Sequence, residues 1–342
     1  MKTAIFAEPG KMVIKEAAKP TLQADDDVII RVIRTCVCGS DLWAYSAGDQ
    51  KANDSVNSGH EALGIVEEVG SAITTVKPGD FVIAPFTHGC GHCAACLAGY
   101  DGTCDERVLY DNWSEGYICF KHGNWALIKI PGQPEDYSEG MMKSFMTLAD
   151  VMATGYHAAR TAEVKHGDRV VVVGDGAVGQ CAVIAAKMMG ASQVVIMSRH
   201  EDRQKLAQEF GATAYVAERG DEGVKKVKEL LGGGADAALD CVGTEASINQ
   251  CLAVVYNGAH VSRIGVPHSN VDPFTLFAHN IAMAGGSASV TTYDKNVLLK
   301  AVLDGQINPG KVFIKTYTLD QINEAYRDMA DRKTIKSYIV IE

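Results

Sequence analysis

Four cysteines carry the densest metal chemistry in this chain. Cys90, Cys93, Cys96 and Cys104 fall in GCGHCAACLAGYDGTC at C-x2-C-x2-C-x7-C spacing. Four thiolates on a glycine-rich loop can close tetrahedrally on one zinc, and a shell of four sulfurs leaves no position open for a reactant, so this set reads as structural. Two disulfides or four free thiols are the alternatives. Both are poor fits here: disulfides suit a secreted chain, and the opening MKTAIFAEPG is interrupted by Glu8 and Pro9 before an export-signal core can form. A reducing, cytoplasmic setting is therefore expected. His92, inside the loop, is not needed once four sulfurs are present. A zinc ribbon gripping nucleic acid would need Lys and Arg beside the cysteines. None cluster there and the formal net charge is −10, so neither nucleic acid nor an anionic membrane is an expected partner.

A second chemistry is written between Arg169 and Gly179, RVVVVGDGAVG. Four valines without a polar face suit a strand covered on both sides. Gly174, Gly176 and Gly179 follow at G-x-G-x-x-G spacing, with Ala177 and Val178 opening a helix that Gly190 stops. Gly174 permits the turn, Gly176 lets backbone approach a pyrophosphate, and Gly179 lets helix and strand pack closely. The helix N-terminus then offers free N–H groups to phosphates. A plain strand-to-helix turn is the alternative, and the strand-then-helix context favours a dinucleotide site. In an NAD site an acidic residue about 20 positions on would hold the ribose hydroxyls. Here the next strand, QVVIM, ends in Ser198-Arg199-His200. A guanidinium beside a small hydroxyl suits the 2′-phosphate of NADP, with Arg203 one turn further to assist. Glu201 and Asp202 could serve NAD instead, but they sit where helix first turns are commonly acidic.

Three scattered residues are metal-competent and unused by the cysteine loop: Cys38 in TCVCGSDLW, His60 in SGHEALG and Asp150 in TLADVMATGYH. Each has a plain reading as well, namely a small core residue, a satisfied histidine and a helix cap. Elements must bring them together if they act together. The 342 residues suffice for two domains. Residues 1–150 read as an irregular β domain, with strands near 12–14, 27–32, 62–69 and 80–84. From about 151 the rhythm becomes strand–helix alternation, a doubly wound parallel sheet of about six strands running to 287. The tail 288–342, with helices near 294–304 and 320–332 and a closing strand 337–341, is expected to return to the first domain.

Cys38-Gly39-Ser40-Asp41, Gly59-His60-Glu61, the cysteine loop, Gly174–Gly179, Asp240-Cys241-Val242-Gly243 and Ile335-Lys336-Ser337 together resemble the zinc-dependent alcohol dehydrogenases of the medium-chain dehydrogenase/reductase superfamily, over essentially the whole chain. The resemblance implies a GroES-like β domain followed by a Rossmann fold, hence an α/β protein. It implies a catalytic zinc held by Cys38, His60 and Asp150, with Glu61 behind them able to approach the metal and Asp41 orienting His60. Together with the cysteine loop this makes two zinc per chain. Many relatives carry a second cysteine at the Asp150 position, and aspartate there resembles the secondary alcohol dehydrogenase branch. The implied reaction is reversible hydride transfer between an alcohol and a nicotinamide, with Ser40 accepting the alcohol proton. Trp43 stands where many relatives carry a relay histidine, so the pocket is expected to contain Trp43 and Phe86, with Tyr110 or Trp113. Thr154, Val242 and Ile264-Gly265-Val266 are implied along the cofactor, and Lys336 at its pyrophosphate. A homodimer or homotetramer is implied. A polyol or sugar dehydrogenase is the neighbouring alternative, and a zinc-stabilised NADP-binding sensor without turnover is the alternative of another class.

Overall fold

The computed structural model describes residues 1–46, 59–109, 115–288 and 291–342; the expected pocket residues Tyr110 and Trp113 lie outside them. The chain forms two units, one of Met1–Asp150 with Ser289–Glu342 and the other of Val151–Ala288. Among the described residues no helix is long and apolar enough to cross a membrane.

The first unit is organised around the strand Val28–Val37, whose residues are buried at eight of ten positions. A strand this covered needs partners on both sides. It pairs antiparallel with Ala62–Val69 and with the tail strand Lys336–Val340, and Tyr117–Phe120 also joins it. The resulting seven-stranded sheet continues through Phe81–Ala84 to Ile128–Ile130, and from the tail strand to Phe313–Thr318. Register does the positioning. Thr35 lies opposite Ala62 and Ser337 opposite Val37. Cys38 therefore leaves the end of one strand where His60 and Glu61 enter the next and Lys336 begins the third. The helix Glu139–Thr147 runs into Asp150, and the Phe86 N–H donates to the Ala149 carbonyl at 2.9 Å, tying that end to the same sheet. The sequence reading leaves 139–161 unassigned, and the structure puts two helices there. Met142, Phe145, Met146, Val151, Met152, Ala158 and Ala159 are all buried. A segment covered on most sides shows little polar–apolar period.

The second unit is a parallel sheet of six strands: β1 (Arg169–Val173), β2 (Gln193–Met197), β3 (Ala214–Val216), β4 (Ala235–Asp240), β5 (Val255–Arg263) and β6 (Ala282–Gly285). Their order is 3-2-1-4-5-6, the doubly wound arrangement of dinucleotide folds. Val170 to Val173 are fully buried, as a strand with helices on both faces requires. After β1 comes helix α1 (Ala177–Met188). Gly174 turns the chain at φ 113°, a conformation few side chains tolerate, and a Cβ on Gly179 would lie 2.0 Å from the Gly174 carbonyl oxygen. The fold class is thus α/β, a largely antiparallel β unit with a Rossmann unit.

Candidate functional site: two metal nests and a phosphate cradle

The four sulfurs of the cysteine loop converge, with all their ligand atoms within 4.8 Å of one another. Cys104 Sγ is 3.6 Å from Cys90 Sγ and 3.7 Å from Cys93 Sγ. None of the four is in a disulfide. Backbone N–H groups turn inward: those of Cys90 and Glu106 donate to Cys104, and that of Cys96 to Cys93. This last bond, against burial, helps hold the Cys93 thiol at about 7, below its ordinary value. A Cβ on Gly89 would sit 2.5 Å from Cys96 Sγ, so glycine is required beneath the sulfurs. The donor set and its geometry fit one zinc with nothing left open.

Cys38, His60, Glu61 and Asp150 also bring their ligand atoms within 4.8 Å of one another. Cys38 Sγ is 3.2 Å from Asp150 Oδ2, and His60 Nε2 is 3.6 Å from the same oxygen and 3.9 Å from Glu61 Oε1. The other ring nitrogen, His60 Nδ1, is 3.1 Å from Asp41 Oδ1, while Asp41 Oδ2 accepts the Cys38 backbone N–H at 2.8 Å. Asp41 thus ties two of the prospective ligands together. Burial works against a charged imidazole, yet Asp41, Asp150 and Cys38 around it raise its pKa well above the ordinary value. Such a concentration of acids and sulfur around one buried ring wants a cation. Glu61 Oε2 is buried without a hydrogen-bond partner, an orphaned carboxylate oxygen that a metal ion would satisfy. Sulfur, imidazole and carboxylate are zinc's usual ligands, and three of them would leave a position for an oxygen ligand.

Lys336 departs from expectation. Its Nζ donates to Glu61 Oε1 at 2.6 Å and to the Val37 carbonyl at 3.2 Å, and the side chain is fully buried. The amine is committed to the metal nest rather than held out for a pyrophosphate. Its charge offsets one carboxylate of a set that otherwise consists of acids, a thiol and an imidazole. Phe86 packs near, its ring 5.8 Å from that of His60, and Trp43 is 46% exposed on the short helix Asp41–Ser46. Ser40 sits half-buried in the turn just after Cys38.

In the second unit a Cβ on Gly176 would meet nothing within 4 Å, the open approach a pyrophosphate requires beside the N-terminus of α1. Val242 and Val266, at 39% and 47% exposure, stand at the ends of β4 and β5. Between them the backbone is tight: a Cβ on Gly265 would lie 2.3 Å from the Gly243 nitrogen. Asp240 Oδ1 accepts from the Val242 and Gly243 N–H groups, and its carbonyl accepts from Ile264 and Gly265. Thr154 is buried in the helix Val151–Thr161.

The end of β2 also differs from the sequence reading. Ser198 is fully buried and its hydroxyl donates to Asp175 Oδ2 at 2.8 Å. His200 Nδ1 is 2.8 Å from the same oxygen, and Arg203 Nη1 is 3.1 Å from Oδ1. Asp175, the residue between the first two glycines, draws in three of the four groups expected at a 2′-phosphate; among the described residues Arg199 makes no bond to it. The sequence placed Asp175 in view, but a variable position of the glycine motif carries no spacing signal for what its side chain reaches.

Comparisons with known proteins agree with this architecture. Residues 24–147 match the alcohol dehydrogenase GroES-like domain and residues 177–301 the zinc-binding dehydrogenase family. The chain is 31% identical over 314 residues to zinc-type alcohol dehydrogenase B of Aspergillus flavus, covering 88% of this chain and 68% of that one. It is 27% identical to an alcohol dehydrogenase of Cupriavidus necator, covering 97% and 96%. Among solved structures it superposes on the alcohol dehydrogenase TADH of Thermus sp. ATN1 with a TM-score of 0.90 over the whole of both chains, at 25% identity. With its GroES-like and Rossmann units, its sulfur lobe and its Cys–His–Asp nest, the chain belongs to the zinc-type alcohol dehydrogenase family of the medium-chain dehydrogenases/reductases.

Proposed function

We propose that this oxidoreductase transfers a hydride between a secondary or medium-sized alcohol and NADP, reducing ketones and aldehydes in the reverse direction, with one zinc in the nest and one in the cysteine lobe. The observation that carries the reading is the convergence of Cys38, His60 and Asp150 around a buried Glu61 oxygen that no hydrogen bond satisfies. When bound there, zinc supplies a Lewis acid toward the alcohol oxygen and the nicotinamide supplies the hydride acceptor. The chain's own groups do the rest. Ser40 takes the alcohol proton. Trp43 cannot hand it on as an imidazole would, since indole only donates, so Trp43 and Phe86 serve as apolar walls for the substrate. Asp41 fixes the imidazole of His60, and Lys336 holds Glu61 in place and opposes the burial that raises its pKa. Thr154, Val242, Ile264, Gly265 and Val266 flank the nicotinamide, and Gly174 to Gly179 take the pyrophosphate. The protein works in the cytoplasm as a homodimer or homotetramer.

The test is a panel of primary, secondary and polyhydric alcohols with the matching carbonyl compounds, assayed with NADP and NAD before and after chelation. Turnover of secondary alcohols with NADP, lost on chelation and restored by zinc, is the expected result. Turnover confined to polyols would move the assignment to a sugar dehydrogenase. Cofactor binding with no turnover of any alcohol would leave a sensor.

A further inference from the structure

A 2′-phosphate needs cationic partners, and Asp175 has taken Arg203 out of that role. Two guanidiniums remain. Arg199 follows the end of β2 by two residues and Arg219 follows the end of β3 by three. These strands are parallel neighbours with Met197 paired to Val216, and the Ser198 N–H continues the ladder to the Val216 carbonyl at 3.0 Å. Both arginines therefore leave the carboxyl edge of the sheet side by side, where open α/β sheets bind their ligands. Arg219 stands at the N-cap of helix α2 (Gly220–Leu231).

We infer that Arg199 and Arg219 form a two-guanidinium clamp for a phosphomonoester, with Asp175 as the positioning residue behind it; the inference rests on the NADP reading above. Neither guanidinium makes an ion pair or hydrogen bond among the described residues. Two of the carboxylates near them in sequence are held by lysines, Glu201 by Lys205 at 2.7 Å and Glu218 by Lys226. The two arginines stand close enough to oppose one another's charge: burial and then Arg199 lower the pKa of Arg219, with Asp175 pulling the other way. A like-charged pair left without counterions is unfavourable until an anion arrives. The charge count also matches. Arg199, Arg203 and Arg219 against Asp175 leave two positive charges, with His200 counted neutral, and a phosphomonoester brings about −1.5 to −2. The unphosphorylated ribose of NAD would leave both guanidiniums uncompensated. Asp175 contributes indirectly. By holding Ser198, His200 and Arg203 it fixes the turn from which Arg199 projects, and Arg203 neutralises its carboxylate, so that it does not repel the ligand.

The experiment measures dissociation constants of NADPH, NADH, 2′,5′-ADP and 5′-AMP for the full-length protein and for Arg219→Gln, Arg199→Gln and Asp175→Asn. NADPH and 2′,5′-ADP should weaken at least roughly ten-fold in either arginine variant, as the loss of a charge-assisted hydrogen bond implies, while NADH and 5′-AMP stay within about two-fold. Retained NADH binding also shows that each variant is folded. If the unaltered protein binds NADH as tightly as NADPH, the NADP reading fails and the clamp with it. If it prefers NADPH and Arg219→Gln keeps that preference, the clamp is overturned while the NADP reading stands. Asp175→Asn should lower the preference for NADPH over NADH; equal weakening of both would remove its positioning role.

Discussion

The cysteine lobe takes its four donors from one loop, whereas the nest around His60 takes Cys38 and Asp150 from positions 112 apart and leans on Lys336 from near the end of the chain. The lobe contains sulfur and backbone N–H groups, and nothing in it needs a distant strand to be in register. The nest contains a thiol, an imidazole, two acids in ligand positions, a third acid behind the imidazole and a buried amine. It holds together only if the sheet aligns three strand ends and the charges balance. A closed site can be built locally because it needs one ion and no partner. A site that must accept a reactant keeps a donor position free, and keeping it free in the interior requires support from many directions.

Perturbations should separate the two. The largest effect is expected from Cys38→Ser. Turnover should fall by more than the roughly 100-fold typical of losing a group that merely supports a ligand, and zinc content should drop from two per chain to one with the thermal midpoint little changed. Full activity in this variant would mean that the metal sits elsewhere. Lys336→Met should come next. It strands Glu61 as an uncompensated buried charge, which costs about 3–5 kcal/mol, read as a lower denaturant midpoint. Adding Glu61→Gln to the same chain should recover most of that loss, and a double variant no more stable than the single would show that the pair is not what Lys336 supports. Asp41→Asn leaves the ligands present but loosens His60, so zinc affinity measured by chelator competition should weaken about 10- to 100-fold; an unchanged affinity would separate Asp41 from the nest. Turnover should respond least to Cys93→Ser. The lobe should lose its zinc and the protein about 1–3 degrees of thermal midpoint, which is what about 1–2 kcal/mol means at this size, while the folded enzyme keeps its kcat. A collapse of kcat at a temperature where the variant is still folded would show that lobe and nest are not independent.

Legibility in the sequence follows the same division. The C-x2-C-x2-C-x7-C loop and the glycine motif are contiguous, and each constrains its own backbone, so spacing alone identifies them. Strands such as Ala62–Val69 and the run Val170–Val173 announce themselves by apolar continuity, as does their alternation with helices in the second unit. The helices between Glu139 and Thr161 do not, because burial on most faces erases the period. Cys38, His60 and Asp150 are each unremarkable in sequence and were connected there only by resemblance.

What the chain's sequence settles by itself is local: which stretches bend, which bury and which can close on an ion within their own loop, since those properties depend on residues a few positions apart. Partner choice is decided by the tertiary structure. Pairing Val28–Val37 with Lys336–Val340 puts the Lys336 amine on Glu61, and the turn of the glycine loop puts Asp175 among Ser198, His200 and Arg203. Both outcomes depend on strand register and on which charge a buried side chain finds first. No spacing along one chain encodes that, because the groups that meet are brought together by elements that pair far apart in sequence.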